Sequence, residues 1–123
     1  MTDYAGLIER LESGSGADVE LQAQLWAIAD NRTIISKQGF PFSGWIAQSN
    51  TPPHDECVAE MPPYLQSLDA ALALAEAMDV PWNGVLVNAV KRCDALTRLP
   101  RQVLIETLTT LSAARALQEQ HNE

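Results

Sequence analysis

The stretch Gly84-Val85-Leu86-Val87-Asn88-Ala89-Val90 decides how many strands the chain is given. Asn88 is its one polar side chain. A run this nearly continuous in apolar residues predicts a strand covered on both faces, at the centre of a sheet. A further short strand could follow at 91–93. Just upstream, Pro81 stops a third helix, which opens at Ser67 or Asp69 and runs to about Met78 through alanine and leucine. Tyr64 and Leu65 precede it, where an apolar residue can staple a helix start. Downstream, a polar turn from Asp94 to Pro100 leads to a last helix over about 101–118. Its stripe is Leu104, Leu108 and Leu111, widened by Ile105.

Further upstream, Pro52-Pro53 and Pro62-Pro63 bracket residues 49–63, which read as a long proline-rich loop, since neither pair suits a helix or a central strand. Before it, Thr33-Ile34-Ile35, a turn at Gly39-Phe40-Pro41 and a return through Ser43-Gly44-Trp45-Ile46-Ala47 predict a hairpin. Two helices come first. Tyr4, Leu7, Ile8 and Leu11 form one stripe, with Asp3 as its cap and Gly14-Ser15-Gly16 as its end. Leu21, Leu25 and Ile28 form another, beginning near Asp18. The predicted order is α-α-β-β-α-β-α. It describes one α+β domain over 1–123, with helices packed on both sides of a small, mostly antiparallel sheet.

Composition narrows the class. Of 123 residues 46% are hydrophobic, enough for a core without disulfide or metal staples. No run approaches the ~20 apolar residues of a membrane helix. The start, Met1-Thr2-Asp3-Tyr4, does not read as a signal peptide, and two cysteines suit a reduced, cytoplasmic setting. The net charge of −8 is uneven: −5 over residues 1–31, −1 over 32–64 and −2 over 65–123. Direct nucleic-acid binding is disfavoured, because phosphate neutralisation needs cations. The acidic N-terminal part suits solubility or a basic partner surface.

Three stretches resemble the phage ABA-sandwich domain family. They are Leu7-Ile8-Glu9-Arg10-Leu11-Glu12 with Gly14, Gly16 and Asp18-Val19-Glu20-Leu21; Pro62-Pro63-Tyr64 with Ser67-Leu68-Asp69-Ala70-Ala71-Leu72; and Leu104 through Ala116. The resemblance spans most of the chain, apart from 39–62 and 80–100. It implies helices sandwiching a sheet and a phage-encoded protein, and it carries over no catalytic or ligand residue.

No catalytic constellation emerges from the residues, and no cofactor motif. His54-Asp55-Glu56-Cys57 offers metal-ligand types, with Cys93 as a further thiolate. A lone His-x-x-Cys is a weak signal beside the plainer reading of a polar loop with one buried thiol. Gly14-Ser15-Gly16 reads as a helix–helix turn rather than a phosphate loop, since Asp18 and Glu20 compete for the same donors. Two binding surfaces compete instead. Lys91, Arg92, Arg98 and Arg101, with Trp82, could clamp a nucleotide; against this, the cations could simply offset acid. Glu9, Glu12, Asp18, Glu20 and Asp30 could form an acidic face or simply a solvated one, and Phe42 and Trp45 near the hairpin read as anchors or as core. The expected function is a phage accessory or counter-defence protein that binds a host defence protein without chemistry. The alternative is a sponge for a nucleotide signal of host defence. A homodimer is plausible on either reading.

Overall fold

The computed structural model describes residues 3–14, 18–38, 44–59 and 63–121. Helix α1 (Tyr4–Ser13) and helix α2 (Val19–Ala29) both begin at an aspartate. The Asp3 side chain accepts from the backbone N–H of Gly6 at 3.0 Å, and that of Asp18 from Leu21 at 3.1 Å. Each satisfies one of the donors a first turn leaves orphaned, worth about 1 kcal/mol. Leu7 and Leu11, four apart, turn the inner face of α1 to the core. Helix α2 is buried on most of its circumference, with Leu21, Ala23, Leu25 and Ala27 all inside. It ends at Asn31, whose φ of 53° is the left-handed conformation that asparagine tolerates after a helix.

The expected hairpin forms from β1 (Arg32–Gln38) and β2 (Gly44–Ser49), antiparallel, with Ile34 opposite Ala47. The register shifts between Ile34 and Ser36, a bulge at Ile35. Phe42 and the hairpin turn at 39–43 lie outside the described residues. The stretch expected to be loop over 49–63 instead contains β3 (Glu56–Ala59), antiparallel to β2, with Cys57 opposite Ala47 and Glu56 opposite Gln48. Pro52 and Pro53 lie in the turn before that strand, so they delimit it rather than exclude it.

Helix α3 (Leu68–Ala77) opens at Ser67, whose hydroxyl accepts from the N–H of Ala70 at 3.3 Å. It closes at Asp79, in the left-handed region at φ 59°.

The central strand expected at Gly84–Val90 is a helix, α4 (Trp82–Arg92). Val85 and Ala89 are buried, whereas Val87, which a strand would place beside them on one face, is 53% exposed. Burial thus recurs every four residues, not every two. The apolar run is not covered on two sides, since Val87 and Val90 lie open to water. The missed signals are local. Pro81 stands at the N-cap with φ −63°, and Lys91 and Arg92 occupy the last turn, where cations favour a helix end.

A 3₁₀ turn (Leu96–Arg98) leads into α5 (Leu99–His121), longer than expected at both ends. The α+β class and the antiparallel sheet hold; the order is α-α-β-β-β-α-α-α. Helices α1, α3 and α4 all pack on α5, while the principal helix contact of the sheet is α2 against β1. Buried Val103, Leu104 and Leu108 of α5 meet Leu7, Leu11, Leu74 and Val85 in one core. Each such leucine contributes about 1.5–3 kcal/mol by leaving water.

Candidate functional site

The acidic residues of the first two helices divide into bound and free. Asp18 caps α2 and also receives Arg10 Nη2 at 3.3 Å, while Asp30 holds Arg32 Nε at 2.6 Å. Glu9 and Glu12 lie on the exposed side of α1, opposite Leu7 and Leu11, and Glu20 is exposed in the first turn of α2. These three carboxylates take part in none of the ion pairs among the described residues. Of the five acidic residues expected to form a face, Glu9, Glu12 and Glu20 are therefore the ones outside these ion pairs.

The basic set resolves differently from the clamp expected of it. Arg98 donates to three carbonyls at the end of α1: Gly14 at 2.9 Å, Glu12 at 3.1 Å and Leu11 at 3.3 Å. Arg101, 3% exposed, donates to the Leu11 carbonyl at 3.2 Å. Both guanidiniums thus cap the C-terminus of α1, where the helix dipole attracts cations. Burial, with Arg98 beside it, lowers the Arg101 pKa, and Asp18 opposes that. An arginine remains charged regardless. Gly14 makes room for this contact: a Cβ there would stand 3.1 Å from Arg101 Nη1 and 3.0 Å from the Arg10 carbonyl. Its φ of −87° is ordinary, so close approach, not a left-handed turn, calls for glycine here.

Arg92 pairs with the buried carboxylate of Glu106 at 3.2 Å, leaving Lys91 exposed beside it. Trp82, 47% exposed, begins the same helix about 13 Å of rise from Lys91. One end of α4 therefore holds the indole and the other the cations, and the structure does not bring them together.

The metal-ligand types are also dispersed. His54 is exposed in the turn before β3, with Nδ1 3.1 Å from the Ser49 carbonyl. Cys57 is a half-buried free thiol in β3, and Cys93 donates its S–H to the Ala95 carbonyl at 2.7 Å. Among the described residues no three such side chains gather at one point. Trp45 is half-buried at the start of β2.

Sequence reasoning missed two adjoining grooves beside β1. One, of about 450 Å³, is floored by Leu7, Ile28 and Ile34 and rimmed by Asp3, Arg10 and Gln24. The second, of about 560 Å³, shares Ala27 and Ile28 with it and is walled by Tyr4, Asn31, Arg32, Thr33 and Asn50. Periodicity assigns Leu7 and Ile28 to apolar stripes, but it does not say that the two stripes fail to close over each other. Comparison with protein-family models, with curated proteins and with solved structures finds no match to this chain.

Proposed function

We propose that this chain acts by binding rather than by chemistry, presenting the carboxylates of Glu9, Glu12 and Glu20 to a basic surface on a protein partner. The observation that carries the reading is the partition of charge. Asp18 and Asp30 are tied to arginines, whereas these three glutamates are exposed and outside the ion pairs of the described residues. Unpaired surface carboxylates steer association and reject acidic competitors more than they stabilise a fold. The resemblance to the phage ABA-sandwich family supports a setting in which the partner is a host defence protein and the chain an accessory that occupies it. A nucleotide sponge built on Arg98 and Arg101 draws no support from guanidiniums already spent on α1.

The test is capture from lysate of a susceptible host, comparing the natural protein with a Glu9→Lys, Glu12→Lys, Glu20→Lys variant at low and high salt. The expected result is a captured protein that is lost in the variant and weakened by salt, since exposed charges are screened beyond about 10 Å. Equal capture by the charge-reversed protein would overturn the reading.

A further inference from the structure

Strand β1 is an outer strand, paired only with β2 among the described residues. Alternate N–H and C=O groups along its other edge therefore point away from the sheet, open to a further strand. Both grooves are lined by residues of the first half of β1. The sheet contributes only Arg32, Thr33 and Ile34 of β1, and Asn50 after β2, to their walls, while α1, α2 and the residue that ends α2 supply the rest. We propose that this edge accepts an extended peptide from a partner protein as a fourth strand, and that the peptide carries an apolar and a basic residue two positions apart. In such an addition the backbone bonds supply affinity and the groove selects alternate side chains.

The extent follows from the bulge. A bulge twists a strand and interrupts its ladder, so the shift between Ile34 and Ser36 limits pairing to the first half of β1, where both grooves lie. At about 3.3 Å per residue Arg32–Ile34 span about 10 Å, so a five-residue segment covers them with one residue over at each end. Its apolar side chain would cover Leu7, Ile28 and Ile34, the floor of the first groove.

Charge selects the other residue. Two arginines line the grooves, and both are engaged: Arg10 by Asp18 at 3.3 Å and Gln24 at 2.8 Å, Arg32 by Asp30 at 2.6 Å. Asp3 is the remaining charge on the walls; it is exposed, and one of its oxygens accepts from Gly6. A lysine or arginine is attracted there, and an acidic side chain is repelled by Asp3 and by a chain of net charge −8.

The experiment is an NMR titration of the whole protein with a capped five-residue probe: valine at both ends, lysine in the middle, threonine between. The amides of Arg32, Thr33 and Ile34 should shift. A probe with glutamate for lysine, and one with alternate amides N-methylated, should each bind about tenfold more weakly or less. Ile28→Lys should abolish binding. Asp3→Asn keeps the helix cap and should narrow the preference for lysine over glutamate, so the proposal stays testable even where Ile28→Lys does not fold. The Glu9→Lys, Glu12→Lys, Glu20→Lys protein should still bind the probe, because those residues lie outside both grooves. Equal binding of the N-methylated probe, or shifts confined to residues away from β1, would overturn the proposal. So would β1 amides that are protected without peptide and lose protection on dilution, since a second copy would then hold the edge.

Discussion

Arg101 donates from Nη1 to the carbonyl of Leu11 at 3.2 Å, joining α5 to the last turn of α1 across ninety positions of sequence. With Arg98 it closes the C-terminus of α1, and the core beneath depends on that closure because Leu11 is fully buried. Arg101→Ala removes one of the two guanidiniums that donate to the Leu11 carbonyl and empties a buried position, and is expected to cost about 2–4 kcal/mol. Arg101→Lys should recover less than half, since an ammonium lacks the planar fork. Urea denaturation measures both. A loss under about 1 kcal/mol would mean that Arg98 and water serve the Leu11 carbonyl equally well.

Tyr64 should make stability fall at high pH. Burial, with Asp30 adding to it, pushes its phenol up to about 12, and the residue is 5% exposed. The unfolded chain releases this proton near pH 10, so the contribution is complete below pH 10. It then declines by about 1.4 kcal/mol per pH unit until the folded phenol ionises near 12. Denaturation profiles between pH 8 and 12 should show this slope, and Tyr64→Phe should flatten it. An unchanged slope in that variant would place the effect elsewhere.

The pair Arg92–Glu106 is asymmetric, with side chains 65% and 7% exposed. Removing the exposed partner strands the buried one. Arg92→Ala is expected to cost about 1–2 kcal/mol, below the range for fully buried pairs because water reaches the arginine. Glu106→Gln should cost less, as an amide still accepts from Arg92 and Gln102. The reverse ranking in thermal or chemical denaturation would contradict this.

Gly84→Ala tests the open first turn of α4. Nothing lies within 4 Å of a Cβ at this position, in the first turn of α4. Alanine should therefore stabilise the protein by about 0.5–1 kcal/mol through helix propensity. Destabilisation by this substitution would count against α4.

Each element that begins at its own cap was legible from the chain alone. Asp3, Asp18 and Ser67 bond to N–H groups three residues on, so their effect needs no distant neighbour. The hairpin was legible for a similar reason, being two short runs joined by a turn. Residues 84–90 were not, because a continuous apolar run states how much surface wants cover and not its period. Only packing of Val85 and Ala89 on α5, with Val87 left in water, makes the period four. The candidate sites divide in the same way. The acidic excess of the first helices was visible as composition, but composition cannot say which carboxylates are spent. That depends on Arg10 reaching Asp18 and Arg32 reaching Asp30. The sequence by itself determined the α+β class, the capped starts of the first three helices and the charge distribution, all of which are local or additive. Tertiary structure decided that Arg98 and Arg101 serve α1, and that a groove opens beside β1. Both arise from contacts between segments far apart in the chain, whose geometry no local pattern encodes.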